Sequence, residues 1–317
     1  MIVRWGLHHL PEVLGELGIA RPLLVASRRW DALELPAAAR WKEIPSDRIG
    51  VPEGVDGILA VGGGSAIDTA KAASAASGLP LVSVPTTYSG AEWTPSFGVR
   101  DPSKKIVGSG AGANLAGIVY EPKLTLNLPR AETGGTAMNA LAHAAEALYA
   151  RGHNAAGDQR ALAGAQVIAE YLPGMLESPG DSELRARLLE GAAYAGEALA
   201  LAGLALGHAL AQAVGGRYGL PHGTLNGIAL PAALRFNATL APDAVRRFGE
   251  AIGAPDDPAG RVEQLAALSG PTRLRELGVP ESDLPELAEA AARRAGNQAN
   301  PRPATPREAE QLLRSIW

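Results

Sequence analysis

The sequence has no cysteine, few aromatic residues and few lysines. Without cysteine, the chain can form neither a disulfide nor a thiolate metal site, and it has no cysteine nucleophile. Only five of the 29 cationic residues are lysines, and no basic block interrupts the chain. Because the formal net charge is −4 at pH 7, we do not expect nucleic acid to be a partner.

Long apolar runs are also missing. No run is long enough to cross a bilayer, and the first residues, MIVRWGLHHL, lack the apolar core of a signal peptide. We therefore expect no membrane partner and a cytoplasmic location. The chain of 317 residues, 46% of them hydrophobic, is long enough for one large domain or two ordinary ones.

The first part of the chain alternates short apolar runs with helical stretches. The runs at 21–27, 57–61 and 80–85 are rich in Val, Ile or Leu and end in turn residues. Such runs are typical of buried parallel strands. Helical segments at 10–18 and 65–77 lie between them, and this alternation predicts a mostly parallel sheet.

From Pro129 onward the sequence is rich in Ala, Leu, Glu and Arg, and strand signals are scarce. We predict an α/β, Rossmann-like nucleotide domain over residues 1–129 and an all-helical domain over residues 130–317. The predicted helices of the second part are 134–151, 157–173, 181–200, 203–216, 223–237, 241–252, 260–268, 282–295 and 306–316.

Three consecutive glycines, Gly62, Gly63 and Gly64, stand between a predicted strand and a predicted helix. Glycine allows a sharp turn and leaves no side chain between the backbone and a ligand. We expect Ser65 to cap the helix, and the helix start to attract a phosphate or pyrophosphate. A plain tight turn is the alternative, since neither GxGxxG nor the P-loop pattern is matched.

Four motifs in order carry a family resemblance: VGGGSAIDTAK, VPTTYSGAEWTP, MNALAHAAEALYA and GHALAQAVGGRYGLPHGTLNGIALP. Together they resemble the iron-containing alcohol dehydrogenase superfamily, which has the two-domain architecture of dehydroquinate synthase. The stretches TTYSGAEWTP and NPRPATPREAEQLLRSIW, with the asparagine of MNALAHAAEALYA, are most similar to the maleylacetate reductase subgroup.

The resemblance implies that NAD or NADP binds to the first domain. Ser27 stands where many relatives carry an acidic residue for the ribose, and Arg28 and Arg29 follow it, so we expect NADPH to be accepted. The alternative is that these arginines belong to a solvated loop with no role in cofactor binding. Lys105 matches a lysine that faces the cofactor or substrate. The remaining positions carried over as cofactor-binding are Gly62, Gly63, Gly64, Ser65, Asp68, Thr86, Thr87 and Ser89.

Asn139 and His143 are four residues apart on a predicted helix and therefore share a face. With His208 and His222, they could form a site for divalent iron or zinc. In metal-using relatives an aspartate takes the place of Asn139, and the reductase subgroup is regarded as metal-free. Without a metal, we expect the three histidines to bind an anionic substrate and supply a proton.

These features predict an NAD(P)H-dependent reductase that transfers a hydride to an unsaturated or carbonyl carbon of a small, anionic substrate. Glu146, three residues after His143, either orients that imidazole or simply continues the helix, and the relatives suggest a homodimer. Three alternatives stay open: a metal-dependent alcohol or polyol dehydrogenase, a lyase of the dehydroquinate synthase type, and a non-catalytic nucleotide-binding relative. Asn226 and Ala232 stand where reductases of the subgroup tend to have histidine.

Overall fold

The computed structural model describes residues 1–101 and 106–317, which group into two compact units. The first unit comprises Met1–Thr87 and Ala91–Asn127, and the second comprises Tyr88–Gly90 and Leu128–Trp317. The short segment 88–90 therefore belongs to the second unit, which nothing in the sequence indicated. The predicted domain boundary after residue 129 stays a prediction.

A six-stranded sheet forms the centre of the first unit, and every neighbouring pair of its strands is parallel. The strand order is β1-β8-β5-β4-β2-β3. The strands are β1 (Ile2–Trp5), β2 (Pro22–Ala26), β3 (Ala39–Trp41), β4 (Gly57–Gly62), β5 (Pro80–Pro85) and β8 (Asn114–Tyr120), with helices α1 (Leu10–Glu16) and α2 (Gly64–Ser77) between them. The predicted parallel α/β sheet is confirmed.

The middle strand β4 shows why this sheet is buried on both faces. Ile58 and Ala60 pack with residues of α2, whereas Leu59 and Val61 pack with α1 on the opposite face. Because side chains alternate along a strand, a continuous apolar run can supply both cores. The same logic explains why the short apolar runs of the sequence predicted these strands.

A small hairpin, β6 (Phe97–Arg100) and β7 (Ile106–Gly110), pairs antiparallel in the same unit. Lys71 of α2 binds the segment that precedes this hairpin. The Lys71 side chain is 1% exposed, and its Nζ donates to the Ser96 carbonyl at 2.9 Å and lies 3.5 Å from Asp68. A buried ammonium group requires such partners.

The second unit is helical throughout its described regular structure. Its helices are α3 (Arg130–Ala147), α4 (Ala155–Glu177), α5 (Ser182–Ala202), α6 (Leu206–Tyr218), α7 (His222–Asn237), α8 (Pro242–Ala251), α9 (Pro258–Ala267), α10 (Leu284–Ala292), α11 (Ala295–Ala299) and α12 (Pro306–Ser315). Each predicted helix has a counterpart, with ends that differ by a few residues. None of these helices alone is long and apolar enough to span a membrane, within the described residues.

Helix α3 lies at the centre of this unit. Fourteen of its 18 residues are buried, and it packs against α4, α5 and α7. Most of the buried residues are alanine or glycine, so neighbouring helices can approach α3 closely. Polar side chains on this helix, including Asn139, His143 and Glu146, are therefore enclosed by protein and must find partners there.

Candidate functional site

The glycine turn lies where β4 ends and α2 begins. Gly62 pairs with Pro85 at the end of β5, and its φ of 153° is rarely adopted by other residues. A Cβ on Gly62 would lie 2.6 Å from the Ala66 Cβ, and one on Gly63 would lie 2.7 Å from the Thr87 Cγ2. The turn therefore requires glycine at both positions.

The expected cap at Ser65 is wrong. Helix α2 begins at Gly64 with Gly63 as its N-cap, and no side chain caps it. Ser65 lies inside the first turn because the Gly63 carbonyl already accepts the first helical hydrogen bond, from the Ile67 N–H at 3.1 Å. The first N–H groups of a helix lack partners within it, so an uncapped start can bind an anion.

Thr86 and Thr87 follow β5 beside this turn. The Thr86 N–H donates to the Gly62 carbonyl at 3.0 Å, which holds the strand end against the glycines. The Thr87 Oγ1 is buried and has no hydrogen-bond partner among the described residues. Buried hydroxyls normally find a partner, so an orphaned one beside an uncapped helix start fits a site for a polar, anionic ligand such as a dinucleotide.

Four other predicted cofactor positions are not brought to the glycine turn by a side-chain contact among the described residues of the first unit. Asp68 accepts from the Gly98 N–H at 3.3 Å, and burial raises the pKa of its carboxyl group despite Lys71 nearby. Ser27 directly follows β2 and precedes the exposed Arg28 and Arg29. Lys105 lies outside the described residues, and Ser89 lies in the second unit.

The three predicted histidines come together in the second unit, and we call them the imidazole cluster. His143 comes from α3, His208 from the first turn of α6, and His222 is the first residue of α7. The rings of His143 and His208 stack with centroids 4.8 Å apart and an interplanar angle of 13°. The His208 and His222 centroids are 5.7 Å apart.

Glu146 orients His208, so the alternative that it orients His143 is wrong. Its carboxylate accepts from the Ala205 N–H at 2.7 Å, the His208 N–H at 3.1 Å and the His208 Nδ1 at 2.7 Å. Glu146 therefore caps the start of the neighbouring helix α6 instead of acting on the histidine of its own helix, α3. Because the carboxylate only accepts, Nδ1 of His208 carries a proton and Nε2 is left without a partner among the described residues.

Two asparagines connect the rest of the cluster. The Asn139 Nδ2 donates to the Ser89 carbonyl at 2.9 Å and lies 3.4 Å from the His143 Nε2. The Asn226 Nδ2 donates to the Asn139 Oδ1 at 2.6 Å and lies 3.0 Å from the His222 Nε2. We call this the amide network.

His143 is neutral near pH 7. Its side chain is buried, and burial lowers its pKa well below 6.5, with further lowering by the neighbouring imidazoles of His208 and His222. Gly90 lies directly against this ring, since a Cβ there would be 3.3 Å from the His143 Nδ1. His143 is therefore enclosed by protein in surroundings that disfavour its charged form.

A divalent metal does not fit the predicted ligands Asn139, His143, His208 and His222. The Asn139 oxygen and the His222 Nε2 already accept from the Asn226 amide. The stacked rings of His143 and His208 place their in-plane lone pairs in nearly parallel planes, which do not converge on one ion. Within the described ranges, no group of three or more histidines and carboxylates is arranged to hold a metal.

Arg185 is a residue of this region that sequence reasoning missed. It is completely buried on α5, and its Nη1 donates to the Tyr88 hydroxyl at 3.3 Å and the Thr133 Oγ1 at 3.0 Å. It thereby holds the segment that brings Ser89 and Gly90 to the cluster. Asn226 did carry a signal, because it is one helical turn after His222.

The C-terminal part of the chain, residues 133–317, matches the Fe-containing alcohol dehydrogenase family, C-terminal. Residues 49–115 match the iron-containing alcohol dehydrogenase family. The chain is 34% identical to maleylacetate reductase 1 of Rhodococcus opacus, over 96% of this chain and 83% of the relative.

Two further likenesses cover much of the chain. Identity to the maleylacetate reductase of Burkholderia cepacia is 38%, over 79% of this chain and 70% of the relative. The crystal structure of maleylacetate reductase from Agrobacterium tumefaciens superposes with a TM-score of 0.87 at 27% identity, over 100% of this chain and 95% of that one. Both sequence and fold are thus similar to those of maleylacetate reductases.

Proposed function

Because this chain belongs to the iron-containing alcohol dehydrogenase family and is an NAD(P)-dependent oxidoreductase, we propose that it reduces maleylacetate or a closely similar unsaturated dicarboxylate. The observation that carries the proposal is Asn139, a neutral residue whose amide is committed to hydrogen bonds with the Ser89 carbonyl and the Asn226 amide. A double bond conjugated to a carbonyl accepts a hydride without a metal to polarise it, which suits a cluster whose residues do not fit a metal.

The first unit would hold the dinucleotide. The uncapped helix start at the Gly62–Gly64 turn would bind the pyrophosphate. The Thr87 hydroxyl, which has no protein partner among the described residues, would hydrogen-bond to the dinucleotide. When bound, the reduced nicotinamide supplies a hydride.

We assign the proton to His208. The low pKa keeps His143 unprotonated near neutral pH, and the His222 Nε2 is occupied by the Asn226 amide. Only the His208 Nε2 is buried, without a partner among the described residues, and on a ring fixed by a carboxylate. For this step His208 carries a proton on both ring nitrogens, beside the Glu146 carboxylate. The double bond gains a hydride at one carbon and the Nε2 proton at the other, so it becomes a single bond and leaves a neutral His208 with its proton on Nδ1.

We also propose that NADPH is accepted. Ser27 and two exposed arginines directly follow β2, so none of these three positions carries a carboxylate that would repel a 2′-phosphate. The homodimer and the cytoplasmic location inferred from the sequence stay predictions, and light scattering of the purified protein checks the first.

The test measures oxidation of NADPH and NADH by absorbance with maleylacetate and with a panel of aldehydes and alcohols. We expect turnover with maleylacetate, an unchanged rate after chelation, and a product in which mass spectrometry finds two added hydrogens. His208→Asn should lower kcat by about 10²-fold or more, whereas His153→Asn, at a side chain that is 57% exposed, should not. Turnover of alcohols alone, lost on chelation, would favour the metal-dependent dehydrogenase.

A further inference from the structure

The Ser89 carbonyl determines which atoms donate and which accept along the amide network. The Ser89 carbonyl can only accept, so the Asn139 atom beside it is the nitrogen and the other atom is the oxygen. The Asn226 atom that faces the Asn139 oxygen must then be its nitrogen. The second hydrogen of that nitrogen points to the His222 Nε2, which must accept.

This orientation leaves the amide oxygen of Asn226 unsatisfied among the described residues. That oxygen, Oδ1, is buried, and a buried oxygen without a hydrogen-bond partner is normally unfavourable. Flipping the amide would be worse, because its oxygen would then face the Asn139 oxygen. The nitrogen of Asn226 is therefore the part of the side chain on which the arrangement depends.

We propose that Asn226 is a positioning residue that sets the tautomer of His222 and keeps a divalent cation out of the imidazole cluster. The same nitrogen engages the Asn139 oxygen and the His222 Nε2, the two atoms that a cation would need from these residues. Asn226 thus acts together with the neutral Asn139 and with the stacked rings of His143 and His208 to disfavour a cation in the cluster. This inference rests on the geometry of the second unit and is independent of the substrate.

The first test reads the tautomers directly. Protein labelled with ¹⁵N-histidine is studied by long-range ¹H–¹⁵N correlation, with resonances assigned from single histidine variants. In the unmodified protein we expect His222 to carry its proton on Nδ1. In the isosteric variant Asn226→Asp the bridging donor becomes an acceptor, so the His222 proton should move to Nε2.

Asn237→Asp is the matched control, because Asn237 is a buried asparagine on the same helix that pairs with Asn300. It should leave the His222 tautomer unchanged. An Nε2–H tautomer in the unmodified protein, or a proton that stays on Nδ1 in Asn226→Asp, would overturn the proposal. The first measurement needs no variant of Asn226, so it decides even if that variant fails to fold.

The second test measures cation binding with Co²⁺, whose visible absorption reports coordination by histidine. We expect Asn226→Ala to bind Co²⁺ about 10-fold or more tightly than the unmodified protein, a change of the size that neighbouring hydrogen-bond partners exert on metal sites. Asn237→Ala should not. Equal Co²⁺ affinity in the unmodified protein and Asn226→Ala, or an equal gain in the control, would show that Asn226 does not exclude the cation.

Failure of the proposal for Asn226 and failure of the proposed function give different results. A protein that shows the expected tautomers and Co²⁺ affinities but does not turn over maleylacetate would keep Asn226 in this role and change only the substrate. A maleylacetate reductase with the opposite His222 tautomer would keep the function and lose the inference.

Discussion

Glu146 shows how one residue can build two parts of a site. Its side chain is completely buried and accepts three N–H groups, two from the start of α6 and one from the His208 ring. A carboxylate at a helix N-terminus is stabilised by the helix dipole, which offsets its burial. The same contacts that begin α6 therefore also fix the imidazole to which we assign the proton.

The buried imidazole of His143 makes the fold sensitive to acid. Burial and the neighbouring histidines lower its pKa well below 6.5 in the folded protein, whereas the unfolded chain has the ordinary value of about 6.5. Below that pH the unfolded chain binds a proton that the folded chain does not. We expect the free energy of unfolding to fall by about 1.4 kcal/mol per pH unit from this group, down to the folded pKa.

Urea denaturation between about pH 7 and about pH 5 checks this expectation. His143→Gln should have a shallower loss of unfolding free energy with acid. Met138→Ala, at a buried position five residues earlier on α3, should lower the unfolding free energy by a similar amount at every pH. Identical pH slopes for His143→Gln and the unmodified protein would contradict the assignment.

Among the elements, the crossing of α3 and α7 determines where the site residues meet. The two helices touch through backbone: a Cβ on Gly223 would lie 2.2 Å from the Gly135 carbonyl oxygen. This close approach places His222 and Asn226, at the start of α7, against Asn139 on α3. The glycine beside His222 is thus part of the construction of the amide network.

Gly223→Ala is expected to push these helices apart. The added methyl group has no space, so the free energy of unfolding should fall by about 1–3 kcal/mol, and kcat should fall because His222 and Asn226 move. Gly174→Ala is the control, since a Cβ there would meet Leu184 at an ordinary 3.8 Å. That variant should gain up to about 1 kcal/mol as helix propensity improves. Chemical denaturation and steady-state kinetics decide, and an active, stable Gly223→Ala protein would rule this out.

Local patterns of the sequence predicted much of the elements but little of their contacts. The apolar runs gave β2, β4 and β5, and the four-residue spacing placed Asn139 and His143 on one face. The strand Asn114–Tyr120 was missed because it follows a glycine-rich stretch without a clear apolar run. Glu146 and His208 are 62 residues apart, so their pairing depends on helix packing that no local pattern encodes.

At the scale of the whole molecule, the two units divide the expected work. The first has its own core on both faces of the parallel sheet and carries the glycine turn. The second has a separate core among α6, α7, α10 and α12 and carries the imidazole cluster. Dinucleotide binding and proton transfer are therefore expected to respond to different substitutions, so each can be tested while the other is kept.

Dinucleotide binding should stabilise the folded chain. A ligand at 100 times its Kd adds about 2.7 kcal/mol when it binds only the folded state. For 317 residues, the unfolding entropy of about 2.1 cal/mol/K per residue converts this to a Tm increase of about 4 °C. Calorimetry with NADPH should show this shift.

Arg28→Glu should reduce the Tm increase more for NADPH than for NADH, because a carboxylate repels the 2′-phosphate. Arg48→Glu, at an arginine whose side chain is 88% exposed in the same unit, should leave both shifts unchanged, and equal losses for the two cofactors in Arg28→Glu would refute the assignment of Arg28.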